Sequence, residues 1–99
     1  MEKIIPLREQ LLVEPIEETK TRGGLHLPPA AMQLMKRGTV VASGTGVYYH
    51  FGIEPMQTKV GDKVLYPDGA GFEVSTDDKT YRIIPETSIV AIIREEQNG

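Results

Sequence analysis

Cysteine and tryptophan are missing from this 99-residue chain, and only two histidines occur. Without cysteine there is no disulfide, no thiolate metal site and no thiol nucleophile. His26 and His50 stand far apart, with no HxxH, HxH or HExxH spacing and no carboxylates grouped beside them, so no metal site is expected. No apolar run approaches the roughly 18 residues of a membrane span. Charge of one sign is scarce as well: the net charge is −3, too weak to steer the chain to nucleic acid or a membrane surface. The start, Met-Glu-Lys-Ile-Ile-Pro, has no apolar leader core, and a reducing compartment suits a cysteine-free chain, so a cytoplasmic protein is expected. Catalytic motifs are wanting too. There is no Gly-x-Ser-x-Gly elbow. Asp77-Asp78 reads as a solvated turn, and Gly44-Thr45-Gly46 is too short for a phosphate loop and has no helix behind it. No enzyme activity and no cofactor are expected.

What is present is a single domain's worth of short strands. The apolar share is 39% and the charged share 25%, ordinary for a soluble protein. Ile4-Ile5-Pro6-Leu7 suits an edge strand or a strand start, because Pro6 lacks an amide donor. Gln10 to Ile16 reads as the first core strand, apolar on both faces at its centre and closed by Pro15. Gly38 to Gly44 reads as a buried strand bounded by glycines. Val47 to Met56 reads as a small hairpin turning near His50 to Gly52. It holds Tyr48, Tyr49 and Phe51, half of a set of four tyrosines and two phenylalanines. Gly61-Asp62, Pro67-Asp68-Gly69, Thr76 to Lys79 and Pro85 to Thr87 are turn signals. Between them lie Val64 to Tyr66, Gly71 to Val74 and Thr80 to Ile84; Ser88 to Ile93 is the last strand. Six or seven short strands with no long helix give the pattern of a small β-barrel or sandwich.

One stretch does not fit a barrel strand. Glu17 to Arg37 is polar at its ends, broken by Gly23-Gly24 and Pro28-Pro29, and carries an apolar island, Leu25-His26-Leu27. Connections this long in compact domains serve as binding loops, lids or disordered segments. A helix over Pro29 to Lys36 is the rival reading, since Ala30 to Met35 are good helix formers. Lys36-Arg37 reads as a solvated flank. Setting aside about 20 loop residues leaves roughly 75 to 80 to pack, a small core that oligomerisation would help.

The chain resembles the chaperonin-10, or GroES, family of co-chaperonins. The resemblance is carried in order by Ile4-Ile5-Pro6-Leu7, Glu17 to Pro28, Arg37 to Gly44, Lys59 to Tyr66, Ala70 to Val74, Tyr81 to Ile84 and Ser88 to Ile93. It implies an all-β fold, a small irregular antiparallel β-barrel, with residues 1–99 forming one domain. Residues 17–37 would be the family's mobile loop and 46–56 its roof hairpin. It implies a heptameric dome that caps the large, ATP-bound 60 kDa-type chaperonin and encloses non-native polypeptide for folding. Gly23, Gly24, Leu25, His26, Leu27 and Pro28 would contact that partner. Ile4, Ile5, Pro6 and Leu7 would meet Ile89, Val90, Ile92 and Ile93 of a neighbouring copy. Tyr48, Tyr49, His50 and Phe51 would form the roof.

Two places depart from the family pattern. His26 stands where aliphatic residues are common, and the roof tip is aromatic where it is often acidic. Two other classes compete. A small β-barrel module binding nucleic acid or peptide would interleave its aromatics with Lys and Arg, whereas here they cluster in one excursion. A barrel domain of the alcohol dehydrogenase type would need a nucleotide-binding half that this chain lacks.

Overall fold

The computed structural model describes residues 3–16, 34–76 and 79–94. Eight strands lie among them: β1 (Gln10–Pro15), β2 (Met35–Ser43), β3 (Gly46–Tyr49), β4 (Gly52–Pro55), β5 (Lys63–Pro67), β6 (Phe72–Thr76), β7 (Lys79–Pro85) and β8 (Ala91–Ile93). A 3-10 turn, Glu86–Ser88, separates β7 from β8. Six strands form one sheet in the order β6-β7-β1-β2-β5-β8, and β3 and β4 pair only with each other. Every ladder is antiparallel. The fold is thus the expected all-β, antiparallel one. Its barrel is irregular, because no ladder joins the outermost strands β6 and β8.

Alternation of side chains decides what is buried. Leu11 and Val13 of β1, Val40 of β2, Val64 and Tyr66 of β5 and Ile84 of β7 form the core, with Met56, Ala70, Ile89 and Ile92 packed against it. Leu12 and Leu65 are buried as well, so β1 and β5 are covered on both faces, as expected for the first strand. A bulge interrupts the β1–β2 ladder: Leu12 pairs with Ala42 but Val13 with Val40. The extra residue, Val41, breaks the alternation and is exposed.

Several element boundaries differ from the sequence expectations. β2 starts at Met35, three residues before the expected strand and inside the span expected to be loop. Lys36 and Arg37 therefore pair with Tyr66 and Leu65 of β5 and do not flank a loop. The rival helix over Pro29 to Lys36 loses its last two residues to this strand, and its first part lies outside the described residues. Ile4 to Leu7 forms no strand within the chain, and the pairing expected for it is with a neighbouring copy. The last strand is also shorter than expected: Ser88 belongs to the 3-10 turn, and β8 begins at Ala91.

Candidate functional site

Residues expected to contact a partner fall into three groups. The first is Gly23 to Pro28, which lies outside the described residues. Its anchor points are described. The Ile16 amide donates to the Arg37 carbonyl at 2.9 Å, and the Asp68 amide donates to the Leu34 carbonyl at 2.7 Å. Segment 17–33 thus leaves β1 and enters β2 at one end of two adjacent antiparallel strands. The body fixes both ends of the apolar tripeptide's segment on one stem.

The second group is at the sheet edge. β8 pairs with β5 through Lys63–Ile93, Val64–Ile92 and Leu65–Ala91, and among the described residues has no strand on its other side. Val90 extends that contact by donating its amide to the Leu65 carbonyl at 2.8 Å. An open groove runs beside this edge, lined by Thr58, Glu86, Ile89, Val90, Ala91 and Ile92. Ile5 and Leu7 project from the chain on either side of the buried Pro6 and are themselves exposed. Within one chain the Ile4–Leu7 segment and the Ile89–Ile93 segment have no ladder between them.

Side chains that sequence reasoning did not single out hold this edge in place. One carboxylate oxygen of Glu86, Oε2, accepts from the Gln57 amide at 2.9 Å and from the Thr58 amide and hydroxyl, each at 2.8 Å. The Glu86 amide donates to the Glu9 carbonyl at 2.8 Å, which ties the 3-10 turn to the N-terminal segment. Arg94 forks onto Asp62 just after β8. At the sheet's opposite edge, Arg82 donates to the Ala70 carbonyl from Nε and Nη2 and fixes the turn before β6. Only the turn signals at Gly61-Asp62 and Pro85-Glu86-Thr87 pointed to any of these.

The third group is the β3–β4 hairpin. His50 and Phe51 form its two-residue turn, as expected from the sequence, with Tyr49 opposite Gly52. Gly46 begins β3 with φ +134°, and a Cβ there would run into the Glu54 carbonyl, so a residue without a side chain is required. Phe51 stacks on Tyr49 with ring centroids 5.3 Å apart. His50 is exposed at the tip. Among the described residues no group of three or more His, Asp or Glu side chains is placed to hold a metal, and no helix is long and apolar enough to cross a membrane.

The described residues thus form an all-antiparallel β-domain with an open groove at one sheet edge, an aromatic hairpin paired only with itself and two adjacent strands from which segment 17–33 departs. Comparison with known proteins gives the family. The profile described as "Chaperonin 10 Kd subunit" matches residues 3–93. The co-chaperonin GroES of Thermotoga maritima is 45% identical over 96 residues, 96% of this chain and 100% of that protein. The co-chaperonin GroES of Rhodothermus marinus is 42% identical over 96 residues, 96% of each chain. That of Gemmatimonas aurantiaca is 39% identical over 93 residues, covering 93% of this chain and 96% of the relative. The chain belongs to the chaperonin-10 family, and its function is that of a co-chaperonin, which acts with a large chaperonin.

Proposed function

We propose that seven copies assemble into a dome-shaped ring that caps the ATP-bound ring of a large chaperonin in the cytoplasm and encloses non-native polypeptide. The observation that carries this reading is the stem: segment 17–33 begins and ends on neighbouring strands of a rigid sheet. Such a stem presents Leu25-His26-Leu27 without disturbing the core. Burying each leucine stabilises docking by roughly 1.5–3 kcal/mol. Ordering a loop costs about 1–2 kcal/mol per backbone residue fixed, so one loop docks weakly. Gly23-Gly24 and Pro28-Pro29 limit how far that ordering spreads. Several tethered loops give tight capping by raised effective concentration, and each still releases easily. No step of this role calls for catalytic chemistry by the co-chaperonin itself.

The ring contact in this proposal joins Ile4, Ile5, Pro6 and Leu7 of one copy to Ile89, Val90, Ile92 and Ile93 of the next. The unpaired side of β8, the open groove beside it and the exposed Ile5 and Leu7 support this. A free strand edge with apolar neighbours is a template for another chain's backbone. Native mass spectrometry of the chain alone, then with a large bacterial chaperonin and ATP, tests both halves. A heptamer that joins the large ring only with nucleotide is the expected result; a monomer that never associates contradicts the proposal.

A further inference from the structure

Arg8 is the one non-glycine residue among those described whose backbone has a positive φ, +54°. Glycine, asparagine and aspartate take up that conformation readily, and longer side chains do so at a cost. Arg8 is the second residue of a turn, Leu7–Gln10, closed by the Gln10 amide donating to the Leu7 carbonyl at 3.0 Å. Turns with a positive φ at that position favour residues other than arginine. The Arg8 side chain is exposed and makes no hydrogen bond or ion pair among the described residues, so the guanidinium does not impose the conformation.

The backbone does. Three successive carbonyls pin the chain from Arg8 onward: Arg8 accepts the Gly46 amide at 2.9 Å, Glu9 the Glu86 amide at 2.8 Å and Gln10 the Gly44 amide at 2.9 Å. The donors lie at the start of β3, in the 3-10 turn before β8 and just after β2. With this side fixed, rotation about the Arg8 N–Cα bond moves only what precedes it, Ile4 to Leu7. That one dihedral sets the direction in which this arm leaves the body. The arm is stiff enough to be aimed: Pro6 is buried, its own φ is fixed, and it holds Ile5 to extended backbone. The arm's first peptide lies flush on Gly44, where a Cβ would run into the Arg8 carbonyl oxygen and come within 2.8 Å of the Leu7 carbonyl carbon.

The inference rests on the ring reading above, in which Ile4 to Leu7 reach the Ile89–Ile93 edge of the next copy. The Glu9–Glu86 hydrogen bond ties the arm's root to the turn that leads into the chain's own Ile89–Ile93 edge, yet no ladder joins arm and edge. We propose that the positive-φ turn at Arg8 aims the arm away from its own β8 edge and so keeps it for a neighbouring copy. Arg8 is a positioning residue, which acts through Ile4 to Leu7 by its backbone and not by its charge. An arm already aimed lowers the ordering cost of each ring contact.

Arg8→Asn and Arg8→Val separate backbone from side chain. Both remove the guanidinium, but asparagine accepts a positive φ and β-branched valine resists it. Native mass spectrometry measures ring formation and subunit exchange, and amide exchange over β1, β2 and β5 reports on the body. Arg8→Asn is expected to form rings that exchange subunits as slowly as the wild type. Arg8→Val is expected to exchange subunits about tenfold faster or more, the backbone penalty converted to a rate ratio, with protection of the body unchanged. Arg8→Asn as impaired as Arg8→Val assigns the effect to the guanidinium and overturns the proposal. Normal exchange in Arg8→Val rings overturns it as well, and so does lost protection throughout the Arg8→Val body, which makes the turn part of the fold and not of the arm. Each of these results leaves the ring reading standing where the wild type forms rings; a wild-type monomer overturns both.

Discussion

Arg94 grips Asp62 with two parallel hydrogen bonds, Nε to Oδ1 at 3.1 Å and Nη2 to Oδ2 at 2.7 Å. The Asp62 side chain is only 13% exposed, and its Oδ2 also accepts the Lys59 amide at 2.9 Å. The clasp joins the residue after β8 to the turn before β5, so it holds the edge strand on the sheet. Hydrogen bonding from Arg94 holds the Asp62 carboxyl below the ordinary carboxylate range. A depressed folded-state pKa contributes stability that is present above the unfolded value, about 3.9, and is lost as pH falls through the folded value. Asp62→Asn is therefore expected to flatten the acid limb of stability between pH 5 and pH 2, with the wild type losing more over that range. Denaturant titrations at several pH values check this; identical acid limbs contradict it.

Glu86 gives a second stability prediction. Its Oε2 is the acceptor for the Gln57 and Thr58 amides and the Thr58 hydroxyl, and Thr58 is buried. Glu86→Ala leaves buried donors unpaired and is expected to cost about 2–3 kcal/mol, whereas Thr58→Val removes one hydrogen bond and is expected to cost about 1 kcal/mol. Urea midpoints of the two variants measure the difference. Equal costs for the two would mean that the hydroxyl alone matters.

Gly46→Ala separates hairpin from body. The backbone there has φ +134° and a Cβ would meet the Glu54 carbonyl, so the strain falls on the β3–β4 ladder. An expected cost of about 1–3 kcal/mol goes with a conformation that side chains rarely adopt. Because β3 and β4 pair with no other strand, amide exchange should accelerate over Gly46–Pro55 and stay slow in β1, β2 and β5. Uniform acceleration would show that the hairpin supports the whole fold.

If Leu25-His26-Leu27 docks as proposed, His26 is expected to make docking depend on pH. The reference pKa of histidine is about 6.5, and burial in an apolar groove disfavours its charged form. Affinity for the large chaperonin is then full above that value and falls as pH drops through it. Binding measured from pH 5.5 to 8 checks this, with His26→Val as the control whose affinity stays flat. A wild-type affinity equally flat over that range contradicts it.

Local chemistry made much of the fold readable. Proline, glycine and aspartate at 61–62, 67–69 and 85 mark where strands stop, and β5, β6 and β7 lie between them. The two-residue tip at His50-Phe51 follows from the apolar runs around it. What escaped was decided by distant partners. Met35-Lys36-Arg37 looks like helix or loop by propensity, and its ladder with β5 makes it strand. The Asp62–Arg94 clasp spans 32 residues and leaves no local mark. Glu86 displaces the start of the last strand because its turn is fixed by a carboxylate serving residues 57 and 58. Of segment 17–33, the sequence shows the apolar island and the structure shows the two strands that flank it.

The most direct test of the capping account is co-sedimentation with a large bacterial chaperonin, with and without ATP, of the wild type and of Leu25→Ser/Leu27→Ser. The account predicts a complex that forms with ATP and is lost in the double variant while its ring mass is unchanged. A double variant that caps as well as the wild type would contradict it.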